Sequence, residues 1–177
     1  MDWIIVAQIL GVLGMGMNVL SFQGKKQKTI IGIQLFGSLF FAVHFFLLGA
    51  YTGALLNGAA IIRAALYANK EKIRHISVVN GIFIGFYLLS YVLTFTVFQK
   101  AVTPFHLAVE LLPVIAMIAT TISFAMPSAA SVRKFALIGS PSWLVYNCIN
   151  FSIGGILCES FSLVSVVLAM VRLDRKQ

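Results

Sequence analysis

Seven long apolar runs, separated by short polar breaks, constrain the fold of this chain more than any other feature. They cover approximately residues 3–22, 29–49, 52–69, 75–97, 104–125, 132–150 and 153–172. A helix needs about 20 apolar residues to cross the core of a bilayer, and lipid cannot satisfy an open backbone, so each run is predicted to be helical. Only 10% of the 177 residues are charged, against about a quarter in soluble domains. The sequence therefore predicts an all-α integral membrane protein with seven transmembrane helices.

The breaks between the runs differ in strength. A polar, lysine-rich loop occupies 23–28. Pro104 suits the first turn of a helix, where its missing N–H costs nothing, and the stretch 126–128 is a turn signal. No charge marks the breaks near Gly49 and Gly154, so a count of six spans stays open.

Basic residues predict the orientation of the spans, because cytoplasmic loops carry an excess of Lys and Arg. In a seven-span arrangement only Lys100 falls in a loop on one side, and Arg63 lies within a span. The other side carries Lys25, Lys26, Lys28, Lys70, Lys72, Arg74, Arg133, Lys134, Arg172, Arg175 and Lys176. We therefore expect a multi-pass protein of the bacterial inner membrane with an outward N-terminus and a cytoplasmic C-terminus. The net charge of +8 lies in short clusters between apolar runs, which argues against nucleic acid as a partner.

The sequence also aligns with itself without a gap after a shift of 102 residues, which places Ser21-Phe22 on Ser123-Phe124 and Gly37-Ser38 on Gly139-Ser140. Self-similarity of this kind is a signature of repeated architecture. We expect a first three-helix repeat in 1–70, a linker helix in 71–101 and a second repeat in 102–177. The single linker helix returns the chain to the side of the membrane on which the first repeat began. The two repeats therefore have the same orientation in the membrane, and parallel repeats of this kind are known in transporters.

Polar residues within the spans carry the functional signal. Six of them lie five or six residues from the predicted outer helix ends, roughly 8–9 Å deep, and they pair under the 102-residue shift. The pairs are Gln8 with Glu110, His44 with Tyr146, and Asn57 with Glu159. Polar groups within a span usually face the bundle interior. We expect them to line a central substrate-binding cavity, with Phe41 and its shifted partner Trp143 as aromatic walls.

Plainer interpretations of single residues stay open. His44 is a candidate for a structural hydrogen bond between helices, and Trp143 for ordinary packing. Glu110 could pair with His106, four residues earlier. Arg63 could extend its charged head to the membrane surface. The set of paired positions is a stronger indication than any of its members.

Glycine and proline suggest a place for motion. Pro113 in the fifth run stands opposite Gly11 in the first. Proline removes a helical hydrogen bond, and glycine lets helices flex or approach closely. We predict hinges at Gly11 and Pro113, with close packing of small residues as the alternative.

Two stretches, Asn18–Thr29 and Gln34–Tyr67, look like the YgjV family of bacterial inner-membrane proteins. The resemblance to this family covers nearly the whole chain. More distantly, the three-one-three plan resembles the SWEET sugar facilitators and PQ-loop proteins. That resemblance implies sugar contacts at Asn57, with Trp143 as a plausible aromatic partner. However, Glu159 replaces the family's second asparagine and no Pro-Gln dipeptide occurs, so a cationic or proton-coupled solute is equally admissible.

The predicted function is a transporter or facilitator of a small polar solute, working by alternating access around the asymmetric polar layer. The alternative is a membrane receptor or interaction protein that uses the same cavity without translocation. We find no enzyme motif and expect no cofactor or metal, since Cys148 and Cys158 lie in apolar stretches without metal-ligand spacing. The expected partners are the lipid bilayer and the unidentified solute, and a homo-oligomer stays open.

Overall fold

The computed structural model describes residues 3–150 and 152–174, which form seven α-helices and no strand. A short 3-10 helix, Lys70–Lys72, follows the third α-helix, and a π-helical turn, Met170–Asp174, follows the last. The α-helices are α1 Trp3–Ser21, α2 Gln27–Leu47, α3 Tyr51–Tyr67, α4 Ile76–Thr96, α5 Pro104–Ala125, α6 Ala129–Ile149 and α7 Ile153–Ala169. The chain is therefore all-helical over these residues, as predicted.

Local chemistry explains most of the helix boundaries. Pro104 opens α5, and the hydroxyl of Thr103 accepts a hydrogen bond from the N–H of His106 at 3.1 Å. Ser128 caps α6 in the same way, so this helix begins three residues before the predicted position. Gly49 separates α2 from α3 with a φ of +72°, a conformation that glycine adopts without steric cost. The weakly marked break there is a helix boundary in the structure, while the number of helices that span the membrane stays a prediction.

The helices pack in two similar groups. Within the first group α2 contacts α1 and α3, and within the second α6 contacts α5 and α7. The groups meet where α1 packs on α7, α3 on α5 and α2 on α6. Under the 102-residue shift α1, α2 and α3 correspond to α5, α6 and α7. The α1–α7 interface is therefore equivalent to the α5–α3 interface, and the α2–α6 interface is equivalent to itself. A twofold relationship between the two groups requires this pattern. Helix α4 stands outside this pattern and packs mainly on α5, with a smaller contact to α3.

Much of the outer surface is apolar and faces lipid. Large exposed side chains include Trp3, Ile82 and Phe161, each more than half exposed. Within the described part of the chain five helices are long and apolar enough to cross a membrane: Trp3–Ser21, Gln27–Leu47, Ile76–Thr96, Pro104–Ala125 and Ile153–Asp174. These helices imply contact with a lipid bilayer. Helix α3 is shorter, and α6 carries Arg133 and Lys134 within its first two turns.

Basic residues of the α1–α2 and α3–α4 connections, of the first turns of α6 and of the last turn of the chain's described part lie at one end of the bundle, which we call the basic end. Hydrogen bonds join these segments directly. Lys28 donates to the Asn69 side chain at 3.2 Å, and Gln27 donates to the Met126 carbonyl at 2.8 Å. Arg133 pairs with Asp174. The basic end is therefore closed by polar contacts between segments that are far apart in sequence.

Candidate functional site

A polar cavity of about 110 Å³ lies between the two helix groups. Its wall includes residues of every helix except α4. A single water needs roughly 10–15 Å³ of such volume, so this space accommodates several waters or a small solute. A cavity with this many polar groups inside a lipid-facing bundle is a candidate binding site.

Helices α2 and α6 each contribute one stripe of residues to this wall. On α2 the stripe consists of Gln34, Ser38, Phe41 and Phe45, and on α6 of Ala136, Ser140, Trp143 and Asn147. Residues at this spacing share one face of a helix. The two stripes occupy equivalent positions under the 102-residue shift, so the same face of each helix borders the cavity.

The shift relates most of the remaining wall as well. Eight pairs of equivalent positions line the cavity: 18 and 120, 22 and 124, 34 and 136, 38 and 140, 41 and 143, 45 and 147, 57 and 159, 60 and 162. The two halves differ in chemistry, since Asn57 stands opposite Glu159 and Ala60 opposite Ser162. The cavity thus has equivalent positions on both sides but an asymmetric set of polar groups.

Asn57 and Glu159, both predicted site residues, are half-buried on the cavity wall. Asn57 donates to the carbonyl of Gly53 in its own helix at 2.9 Å, which leaves its amide oxygen available. The hydroxyl of Ser140 is a hydrogen-bonding neighbour of the Glu159 carboxylate. Both groups therefore retain hydrogen-bonding capacity toward the cavity.

Aromatic rings form another part of the wall, as predicted for Phe41 and Trp143. Phe45 stacks on Trp143 with centroids 6.5 Å apart and an interplanar angle of 18°, which joins α2 to α6. Phe41 meets the His44 ring edge-on at 5.8 Å. Four of the eight predicted binding residues, Asn57, Glu159, Phe41 and Trp143, thus border one cavity.

His44 and Gln8 lie off the cavity wall, at contacts of α1. His44 is fully buried, and its Nδ1 lies 2.7 Å from the carbonyl oxygen of Ala7. Gln8 lies near the junction with α7, where its Oε1 is 3.7 Å from the position of a Cβ on Gly154. These positions favour a structural role in holding α1, and a direct contact with solute stays a prediction for both residues.

Glu110 and Tyr146 also lie off the cavity wall, between α5 and α6. Glu110 is buried and forms an ion pair with Lys100, while the Tyr146 hydroxyl is a hydrogen-bonding neighbour of the same carboxylate. His106 contacts the carbonyl oxygen of Ala101 at 2.8 Å. The alternative that paired Glu110 with His106 is wrong, because Lys100 takes that place.

The predicted hinge positions lie in uninterrupted helices. A Cβ on Gly11 would lie 2.9 Å from the His44 Nδ1, so glycine here permits the close approach of α1 and α2. Pro113 is buried within α5, which continues through it from Pro104 to Ala125. Flexing at these two positions stays a prediction.

Arg63 lines the cavity wall, and the sequence alone did not decide whether its side chain extends to the membrane surface or into the bundle. Its side chain is 5% exposed and turns into the bundle. The guanidinium Nη1 donates to the Met117 carbonyl and the Thr121 hydroxyl, each at 3.2 Å, and to the Tyr87 hydroxyl at 3.3 Å. The expectation of a head extended to the membrane surface is therefore wrong. Helical spacing provides a partial signal, since Arg63 follows the wall residues Asn57 and Ala60 at intervals of three.

Two polar ties join the helix groups at the basic end. In the first, Lys70 and Gln27 donate to the Met126 carbonyl at the end of α5, and Lys70 also donates to the Phe124 carbonyl at 3.1 Å. Burial lowers the pKa of Lys70, with Glu71 acting in the opposite direction.

In the second tie, Arg133 donates to the carbonyls of Phe22 at 3.3 Å and Gly24 at 3.0 Å, and pairs with Asp174. The acceptors 22 and 24 are the shifted equivalents of 124 and 126. The two ties therefore act at equivalent places on the main chain, with different donor side chains.

Comparison with known proteins gives one match. The model of a family described as Imp-YgjV, bacterial inner membrane protein, matches residues 5–177. No curated protein and no solved structure matches the chain. The distant resemblance to SWEET and PQ-loop proteins therefore stays a prediction.

Proposed function

The chain belongs to the Imp-YgjV family of bacterial inner membrane proteins, and on that premise we propose that it is a transporter or facilitator of a small polar solute. The observation that carries the proposal is the cavity, whose wall draws eight pairs of equivalent positions from the two helix groups. Paired repeats around a central site are the geometry that alternating access uses. A receptor that only binds solute is the alternative.

The transmembrane arrangement in this proposal is three, one and three spans: α1–α3, the linker α4 and α5–α7. Helix α3 has 17 residues, about 26 Å at 1.5 Å per residue, which nearly spans a core of about 30 Å. Helix α6 carries its two cations close to the basic end, so the rest of the helix lies at membrane depth. The basic end faces the cytoplasm, because cytoplasmic segments carry the excess of Lys and Arg.

Alternating access then follows from the contacts between the groups. The ties of Lys70 and Arg133 hold the basic end closed in this conformation. A solute leaves toward the cytoplasm only when both ties open and the groups rock apart at that end. Asn57 and Glu159, on equivalent helices, contact the solute from both groups and thereby couple its binding to the rocking.

Reconstitution in liposomes tests this proposal. Purified protein is challenged with a panel of radiolabelled sugars, amines, amino acids and organic acids, and uptake is compared with empty liposomes. We expect flux of at least one solute, and we expect the substitution E159Q to abolish it, because the amide keeps the size of the side chain and removes its charge. The matched control is E71Q, which neutralises an exposed acid at the basic end and should leave uptake unchanged.

The outcomes separate the two readings. Saturable binding of a solute without flux would favour the receptor. Flux that is equal in the wild-type and E159Q proteins would remove Glu159 from the mechanism while leaving transport in place.

A further inference from the structure

Arg63 presents a permanently charged group to the cavity without an acidic partner. The hydrogen-bond acceptors of its Nη1, on Tyr87, Met117 and Thr121, are all neutral groups. Its guanidinium carbon lies 5.0 Å from the centre of the Phe124 ring. The Nε atom is buried and has no hydrogen-bond partner. Within 3–150 and 152–174, ion pairs form only at Lys100–Glu110 and Arg133–Asp174. Arg63 thus keeps donor capacity and net charge in the interior.

The chemistry of arginine indicates what completes this arrangement. A buried charge without a counterion is costly, and hydroxyl, carbonyl and aromatic groups compensate it only in part. The guanidinium offers five donors in a planar fork that matches an oxyanion, such as a carboxylate, in two parallel hydrogen bonds. The cavity next to Arg63 is the space from which such a group can approach. An anionic group of the solute therefore fits at Arg63.

Glu159 places the opposite charge on the same cavity. Its shifted equivalent, Asn57, precedes Arg63 by six residues on α3, which is about 9 Å along the helix. The helix contacts relate the two groups as a twofold relationship would, and from this we infer that Glu159 lies near the depth of Asn57 and not at that of Arg63. A solute with two negative groups is disfavoured by this carboxylate, and a neutral sugar leaves the guanidinium uncompensated. The wall is thus complementary to a molecule with one group of each sign.

We propose that the solute is a small zwitterion of the amino-carboxylate class, with its carboxylate on Arg63 and its ammonium group at Glu159. This inference rests on the proposed function, since it names the class of solute for the same cavity. Arg63 is the residue that recognises the anionic end. Its shifted equivalent is Ser165, which does not line the cavity, so the fixed cation belongs to one helix group alone and gives the solute a single orientation.

Binding to the purified protein in detergent tests the inference without requiring flux. The probes are the series glycine, β-alanine, γ-aminobutyrate and 5-aminovalerate, whose charged groups are increasingly far apart. Propionate lacks the amine, propylamine lacks the carboxylate, and inorganic phosphate supplies an oxyanion without either. Titration calorimetry or a shift in thermal unfolding measures each affinity. We expect one or more members of the zwitterion series to bind at least tenfold more tightly than propionate, propylamine and phosphate.

Two substitutions identify the role of Arg63. A charge-assisted hydrogen bond accounts for about a 10- to 100-fold change in affinity, so R63Q should weaken zwitterion binding by that factor. R63K keeps the positive charge but loses the planar guanidinium that forms two parallel hydrogen bonds, so its affinity should lie between those of the wild type and R63Q. If R63Q does not fold, R63K should still bind more weakly than the wild type. The control R74Q removes the charge of an exposed arginine outside the cavity and should bind as the wild type does.

Each result has a definite consequence. Failure of every zwitterion to bind, equal binding of propylamine, tighter binding of phosphate, or unchanged affinity in both Arg63 variants would overturn the inference. Zwitterion binding that depends on Arg63 but produces no flux in liposomes would support the site and contradict transport. Flux of a sugar that R63Q leaves unchanged would support transport and contradict this class of solute.

Discussion

The ion pair of Arg133 and Asp174 at the basic end provides a test of how the structure is held together. Arg133 is 1% exposed, and the Asp174 side chain is 15% exposed. The substitution D174N keeps the size of the side chain and removes the negative charge. The guanidinium then has only neutral acceptors, namely the carbonyls of Phe22 and Gly24 and the amide oxygen of the substituted side chain. We expect this variant to be markedly less stable than the wild type.

The magnitude follows from the burial of the cation. Breaking a buried pair from one side costs about 3–5 kcal/mol, and the lower figure applies because Asp174 is partly exposed and two carbonyls remain. For a chain of this length 1 kcal/mol shifts the midpoint of thermal unfolding by roughly 2–4 °C, so about 3 kcal/mol lowers it by about 6–12 °C. The double variant R133M/D174N loses all four hydrogen bonds of Arg133 but leaves no buried charge, and removing a whole buried pair in this way is often close to neutral. It should therefore unfold at a higher temperature than D174N alone.

Thermal unfolding in detergent, followed by tryptophan fluorescence, measures these midpoints. E71Q is the matched control, because Glu71 is an exposed acid at the same end, and it should shift the midpoint by less than about 2 °C. If D174N unfolds at the same temperature as E71Q, or if R133M/D174N is the less stable of the two Arg133–Asp174 variants, Arg133 does not depend on Asp174 as its counterion.

Two further predictions concern packing and topology. G11A should lower the unfolding midpoint, because its Cβ would lie 2.9 Å from the His44 ring, whereas G16A in the same helix, whose Cβ would meet nothing within 4 Å, should change it little. Equal midpoints for the two variants would contradict the close approach of α1 and α2 at Gly11. A thiol introduced by K26C at the exposed start of α2 should react with a membrane-impermeant reagent only from the cytoplasmic side, and labelling of intact cells from outside would contradict the proposed orientation.

Helix positions were largely predictable, because apolar length and capping residues act locally. The prediction placed the start of α5 at Pro104, and the structure has it there. Helix α6 begins three residues earlier than predicted, since Ser128 satisfies the first N–H groups of a turn that is not apolar. Local signals of this kind depend on a few neighbouring residues and are readable in one sequence.

The cavity was predictable only in part, because it depends on which face of each helix meets which neighbour. The shift related Phe41 to Trp143 and Asn57 to Glu159, and these four line the wall. At about 100° per residue, the other stripe residues of α2 lie about 20–60° to one side of Phe41. His44 lies about 60° to the other side, where it meets α1.

Arg63 shows what a single sequence leaves undetermined. A position six residues from a predicted helix end permits either an extended or an inward side chain. The inward one is fixed by acceptors on α4 and α5, at Tyr87, Met117 and Thr121. Those acceptors are distant in sequence, and only the packing of the helices brings them together.

The two ties at the basic end have acceptors that belong to the main chain, at positions 22 and 24 in one group and 124 and 126 in the other. Every residue has a main-chain carbonyl, so a substitution at these four positions does not remove the acceptor. Only the donor depends on the side chain. Lys70 and Gln27 donate to the acceptors of the second group, and Arg133 donates to those of the first. After a gene duplication, such a closure can persist while its donors drift to different helices. A sequence comparison of the two halves then aligns the positions of the acceptors. It does not reveal the closure, because the donor residues stand at positions that are not equivalent.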